Sequence, residues 1–513
     1  MRVPPRHLAY SSVNNHSHEI LRRGRLRWVA LSAAALAAGV LAGCGGSSTT
    51  GSGGGPIAGQ TTQVTVVVSS AANDQLVRFG LTLNSLSLTN KAGMSVPLLS
   101  TPHQVEFMHL NGSAEPLLTV SVPQDVYTSA TATVGYASFT CVAQNLSDGS
   151  DTTSTYAYGS TPNSQVTAQL PDALTVEGDT MAMSLELQVS QSASVPSPCY
   201  GTGVTQYSIT PTLNLTPMTV PAIPTNPANG ELTALAGLIV NADATSGSFT
   251  VAAADGTPVN STLSTTWSVD MNGSTAYQGI ANASALTIGM AVDLDGVLET
   301  DGSVLATRVA VPDPDTTNLV VNQGPLIELQ SSSPILQQVN QEADGSQKLV
   351  DGWGTYNFSN ANFAIWGGLK NVASLPFAAS FAADTMVTGQ MVAITSHVTS
   401  VAPFPTYVPA TVMTLMPQTI DGVVSAKGTA SAFTTYTVQL APYDVFPQFA
   451  VQSGQTTLLT NPLQIVAYTD QNTQMLDGGT PTVGSTVRFT GVVFNDNGTL
   501  RMDCTQISSG VAQ

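Results

Sequence analysis

Over most of this 513-residue chain, apolar and polar side chains alternate one for one, the pattern of half-buried β-strands. In "QVTVVV", Val64, Val66 and Val68 share a face. In "VRFGLTL", Val77, Phe79, Leu81 and Leu83 do the same, before the phase slips toward Leu86 and Leu88 as a β-bulge would make it. "MAMSLELQV" sets Met181, Met183, Leu185, Leu187 and Val189 opposite Ser184, Glu186 and Gln188. "YSITPTLNL" closes the region, and Pro211, lacking an amide hydrogen, confines that strand to an edge or a bulge. No window of eleven or more residues carries a helical period. Residues 62–218 are therefore predicted to form one all-β sandwich.

Five prolines follow within seventeen residues (Pro211, Pro217, Pro221, Pro224 and Pro227), which predicts a semi-rigid spacer over 219–235. Beyond it lies an internal repeat. "IGMAVDLDG" carries Gly289, Val292 and Leu294, "TGQMVAITS" Gly389, Val392 and Ile394, and "VGSTVRFTG" Gly484, Val487 and Phe489, at intervals of 100 and 95 residues. Two copies continue into hairpin-turn dipeptides, Asp301-Gly302 and Asn497-Gly498. Each copy opens on a glycine leading a strand: Gly237, Gly324 and Gly422. Glycine lets a strand bend at a barrel corner while the alternation fills the interior. The expected fold is all-β: a sandwich followed by three small β-barrel-like repeat modules at 236–312, 320–402 and 420–509.

The segment from "VRFGLTLNSLSLTN" through "VEFMHLNGSAEPLLTVSVPQDVYTSATATVG" resembles the bacterial domain of unknown function 4382, with Val122, Pro123, Tyr127 and Thr128 on its characteristic turn. That resemblance spans about 75 residues and implies no activity. The repeats resemble domain of unknown function 5666, which occurs in tandem in envelope lipoproteins; "FTVAAADG" and "SVLATRV" in the first copy fit best, and the second carries a long aromatic insertion.

The amino-terminal segment has a different logic. Arg22, Arg23, Arg25 and Arg27 precede an apolar run from Trp28 to Ala42, the charge and length pattern of a signal peptide. The run is shorter than the roughly 20 residues a membrane-spanning helix needs. It ends in Leu41-Ala42-Gly43-Cys44, which resembles the lipobox of bacterial lipoproteins. The resemblance implies cleavage after residue 43, acylation of Cys44, and membrane anchoring by several acyl chains, where a single chain would hold only reversibly. Gly45 in place of aspartate implies the outer membrane rather than the inner. Residues 44–61, rich in Gly, Ser and Thr, read as a flexible tether.

Removing that leader sharpens the charge balance. It takes six of the fourteen basic residues and one of the thirty-two acidic ones, leaving a formal charge of −23. Such a chain cannot neutralise a phosphate backbone, which excludes nucleic acid as a partner, and it makes the lipid anchor the expected membrane contact. Charged residues are 9% against 42% hydrophobic, a balance that predicts folding rather than disorder. An oxidising envelope permits a Cys141–Cys199 disulfide, closing a loop of about 58 residues and contributing about 4 kcal/mol. Cys504, in step with Leu500 and Met502, reads as a buried small hydrophobe.

Candidate chemistry is sparse. His103 and His109 in "HQVEFMH" share a strand face with Glu106 opposite, and about 20 Å of extended strand between them rules out one mononuclear metal site. Asp293, Asp295 and Asp301 lack the ligand spacing of an EF-hand, and with Asp313/Asp315 and Glu342/Asp344 they read as solvated turns. No G-x-S-x-G, H-E-x-x-H or GK[ST] motif occurs in the folded region, so no catalytic residue, metal or cofactor is assigned. A hydrolytic triad would have to use His103, His109 or His397. Trp353, Tyr356, Phe358, Phe363 and Trp366 fall within fourteen residues and, if exposed together, would offer a glycan- or partner-binding strip; otherwise they form a core. The expected protein is a lipid-anchored envelope component acting as a structural or ligand-binding module, with a glycan or envelope protein as partner. The alternative is an envelope-polymer hydrolase.

Overall fold

The computed structural model describes residues 55–71, 74–144, 151–158, 164–193, 209–220, 229–243, 247–327, 329, 333–370, 372–398, 408–442, 444–450, 459–476 and 479–510. Cys44, the Leu41-Ala42-Gly43 segment and Cys199 lie outside them. The alternation is realised as strands: the two α-helices among the described residues, Val189–Ser192 and Val445–Ala450, have four and six residues.

Residues 61–218 form two facing sheets over one core, a sandwich-like arrangement. In one sheet, Thr61–Ala71 lies between Ala114–Pro123 and Thr180–Gln188, with Leu213–Met218 at the edge where Pro211 predicted it. In the other, Leu76–Asn90 pairs with the twenty-residue strand Asp125–Gln144, and their register slips on either side of Leu83, where the hydrophobic phase changes. Val64, Val66 and Val68 enter the core between the sheets. Tyr127 is buried and its hydroxyl donates to the Pro123 carbonyl, 2.9 Å away, fixing the corner that leads into the long strand.

The three repeats share one strand order. In the first, Glu231–Asp243 pairs with Ser248–Ala253 and Ala291–Leu298, while Thr266–Asp270 pairs with Ser248–Ala253 and, in parallel, with Val304–Ala310. The third repeats this with Gln418–Ala430, Phe433–Leu440, Gln464–Thr469, Thr486–Asp496 and Thr499–Ser509. The second keeps the order, but its parallel contact runs through the two-residue strand Val408–Pro409. Register shifts recur at matching places in the first and third copies, after Ile239 and Val424, and before Gly296 and Gly491.

The repeated glycines act alike. Gly289, Gly389 and Gly484 have φ of +88°, +89° and +89°, a conformation that L side chains rarely adopt. At Gly237 and Gly422 a Cβ would collide with the neighbouring strand's Ala252 and Gln439 carbonyls, so glycine is needed where the strand bends under its partner.

The boundaries differ from expectation in three places. The first repeat opens at Glu231, inside the proposed spacer. The second sheet continues past 402 to Val412–Leu415. The third opens at Gln418. Nor do the prolines hold the modules apart: Val67, Ala114 and Ala182 of the sandwich share a core with the first repeat, and Val492 and Phe494 of the third share one with the second. Burying shared apolar surface outweighs the stiffness of a short proline run.

Candidate functional site

Where the units meet, charged side chains are buried against one another in two clusters. The first begins with a turn. The strand His103–Glu106 ends at Glu106, and the chain folds back so that His109 Nδ1 lies 3.0 Å from Glu106 Oε2. Glu106 also accepts from the backbone amides of Phe79, Met108 and His109 at 2.8, 3.1 and 3.0 Å. Burial alone would raise its pKa, but His109 and the amides of Phe79 and His109 hold it below the ordinary carboxylate value. His109 Nε2 meets Glu115 Oε2 at 3.3 Å. Desolvation opposes the charge on His109, but the two carboxylates override it and raise the pKa to about 10. From the first repeat, buried Asp255 faces this group. Desolvation, followed by the Glu115 charge, pushes its pKa up to about 8. This arrangement corrects the strand-face reading, which put Glu106 on the side opposite His109. His103 lies elsewhere, its Nδ1 3.1 Å from Thr265 Oγ1.

The second cluster joins the first and second repeats. On adjacent strands of the first, Arg308 Nη2 donates to Asp293 Oδ1, and Arg308 Nε donates to Asp295 Oδ2 at 2.7 Å. Trp366 of the second repeat follows the strand Asn362–Ile365, held by a backbone bond to Leu415. Its indole Nε1 donates to Asp293 Oδ1 at 3.0 Å, and the Arg308 guanidinium carbon lies 5.3 Å from its ring centroid. Burial raises the Asp293 pKa while Arg308 opposes that rise. These aspartates are therefore ion-pair partners, not the solvated turn residues expected; Asp301, by contrast, does sit in a turn, bonded to Ser303.

Beside this triad is a cavity of about 230 Å³ between the two repeats, walled by Ala236, Val311, Val321, Ile365, Val412 and Met416. Arg308, Asp293 and Gln341 also line it, and Arg308 Nη1, Asp293 Oδ2 and Gln341 Nε2 are buried with no hydrogen-bond partner among the described residues. A buried polar atom left unpaired costs about 1–3 kcal/mol. The cavity is thus an apolar slot whose lining also includes these three polar residues.

The aromatic segment does not form an exposed strip. Tyr356 and Trp366 are buried, and Phe358 and Phe363 are half-buried in the second repeat's core, where Phe363 packs edge-on to Phe381 at 5.6 Å. The side chain of Trp353 lies outside those described. Of the aromatic segment, Trp366 alone lines the inter-repeat cavity, with Arg308 over its ring and Gly368 packed so close to the ring that a Cβ there would collide with it.

His397 does not meet a hydroxyl either. Its Nδ1 is 2.7 Å from the Thr317 carbonyl and its Nε2 3.0 Å from Asp313 Oδ2, so both ring nitrogens are engaged. Cys504 is a free, buried thiol whose pKa burial raises. Cys141 is buried and disulfide-bonded.

Arg308 was missed in the sequence reading. The signal for it was its scarcity, as one of eight basic residues beyond the leader, together with the Asp293/Asp295 pair on a neighbouring predicted strand. No family model matches the chain, and no curated protein matches it.

Proposed function

We propose that the chain is a lipid-anchored cell-envelope protein, in the outer membrane, whose four β units form a non-catalytic body with one ligand-binding cavity between the first and second repeats. Each repeat is read as a small closed barrel related to domain of unknown function 5666. The order of hydrogen-bonded neighbours, first–second–third–fifth–fourth–first, supports that reading and is the order of the five-stranded Greek-key barrel. Fold alone does not carry the function.

The observation that carries the binding reading is an apolar cavity of about 230 Å³ whose lining includes Arg308, Asp293 and Gln341. A mostly apolar slot with a few polar side chains in its wall suits an uncharged ligand that offers both an apolar face and hydrogen-bonding groups, such as a terminal sugar. The carboxylates already balance Arg308, which disfavours an anionic ligand. What weighs against an envelope-polymer hydrolase is that Glu106, His109 and His397 are engaged in structural hydrogen bonds.

The test is a glycan array probed with residues 54–513, with Gln341→Leu as control. Leucine at Gln341, a lining residue, takes one hydrogen-bonding group out of the wall and lowers affinity for the true ligand about tenfold, the worth of one hydrogen bond. A ligand whose binding ignores the substitution refutes the cavity. Anchoring is tested separately: Cys44→Ser releases the protein from membranes on fractionation, and unchanged membrane retention refutes it.

A further inference from the structure

The described chain enters the sandwich through a short turn. Gln60 N donates to the Ile57 carbonyl, Ile57 N donates to Gln124 Oε1 at 2.9 Å, and Gln124 N bonds back to Gln60. The next residue, Asp125, accepts from Asn90 Nδ2 at 2.7 Å. Asn90 Oδ1 in turn accepts from the amides of Ala92 and Met94 and shapes the hairpin tip at 90–95. Through these links one end of the sandwich gathers Ile57, Met94 and Val126, exposed at 56%, 60% and 36%. They are three of the seven large hydrophobic side chains exposed among the described residues, and they surround the point where the tether begins.

Eleven residue steps separate Cys44 from Gly55. Fully extended they reach about 40 Å, and as a Gly/Ser coil they span about 18 Å. An acyl group on Cys44 would therefore hold this end of the sandwich, more closely than any other part of the body, at the bilayer surface. Exposed apolar side chains at that distance enter the headgroup–acyl boundary, and the exposed Lys91 beside them can keep its ammonium in water while its stem lies along the boundary. The exposed acids Glu177 and Asp179 at the same end favour a zwitterionic surface over an anionic one.

We propose that this end, through Ile57, Met94 and Val126, rests in the bilayer interface, so that the lipid surface is the partner of the patch and orients the body on the membrane. This rests on the anchored reading above and extends it: the acyl chains are then not the sole membrane contact.

The test separates the two readings. Residues 44–513 with Cys44→Ser and an amino-terminal hexahistidine tag are held on phosphatidylethanolamine/phosphatidylcholine vesicles containing nickel-chelating lipid, so attachment does not depend on acylation. A bimane label is placed at Met94→Cys, Val126→Cys or, as a distant control, Ile288→Cys, which is 63% exposed on the first repeat. Cys504 is buried and Cys141 disulfide-bonded, so neither competes for the label. Doxyl-labelled lipid is expected to quench positions 94 and 126 at least threefold more than 288. Equal quenching at the three positions overturns the proposal, as does shielding of 94 that grows with protein concentration in the absence of vesicles, which would mark the patch as a contact between copies. Failure of the anchor itself would show only in the fractionation of the acylatable chain.

Discussion

Asp255→Asn is expected to make the protein more stable, although the aspartate is buried and hydrogen-bonded. The carboxyl is 1% exposed; its Oδ1 accepts from the Thr257 amide at 2.8 Å, and its Oδ2 has no partner among the described residues. Desolvation, aided by Glu115, raises its pKa from 3.8 to about 8 in the folded state. The folded value lies above the unfolded one, so its favourable contribution is complete below pH 3.8 and is lost as pH rises toward 8. At pH 7, with 1.36 kcal/mol per pH unit between 3.8 and 7, keeping the group protonated costs about 4 kcal/mol. Asparagine keeps the oxygen that accepts from Thr257 and carries no charge at any pH, so it removes that cost. It also leaves one polar atom unpaired, as the aspartate does, so that penalty cancels. Urea unfolding followed by tryptophan fluorescence at pH 4, 5.5, 7 and 8.5 should show Asp255→Asn gaining almost nothing at pH 4 and about 4 kcal/mol at pH 7. A gain independent of pH, or a loss at pH 7, would refute the reasoning, because the burial of an uncompensated carboxyl is its whole basis.

Three further outcomes follow from the same packing. Arg308→Met should destabilise the body by about 3–5 kcal/mol in the same urea assay, since it strands Asp293 and Asp295 without their cation. Gly389→Ala should cost clearly more than Gly484→Ala in thermal unfolding: both have φ of +89°, but a Cβ at 389 meets the Phe446 carbonyl at 2.7 Å, whereas nothing lies within 4 Å at 484. For Gly484→Ala only the backbone strain remains, about 1–2 kcal/mol. His109, raised from 6.5 to about 10, contributes stability that is complete below pH 6.5 and lost as pH rises through 10. His109→Gln should therefore flatten the decline in unfolding midpoint between pH 7 and 10; an undiminished decline would show that the ion pairs with Glu106 and Glu115 do not hold the turn.

Much of the fold was legible because it is local. Val64, Val66 and Val68 alternate because a strand turns successive side chains to opposite faces, a property of neighbouring residues alone. Gly289, Gly389 and Gly484 recur because one backbone conformation recurs, and it excludes a Cβ wherever it occurs. Leu213–Met218 begins only after Pro211 and lies at the edge of its sheet, in keeping with a proline that cannot donate to a ladder. His109 defeated the same logic. Strand periodicity placed it with His103, but the strand stops at Glu106, where three backbone amides converging on one carboxylate stabilise a turn that periodicity does not encode.

The sequence by itself determined the β character, the strand alternation, the repeat and its glycines, and the acidic balance, since each depends on neighbouring residues or on a sum over all of them. Only tertiary structure decided which charges meet. Trp366 reaches Asp293 across 73 positions, and Arg488 reaches Asp74, 2.9 Å away, across 414. It also turned the aromatic segment inward and closed the modules around shared cores. Ion pairs and cavities form between surfaces whose mutual placement is set by the burial of apolar area over whole units, and no short window of sequence carries that sum.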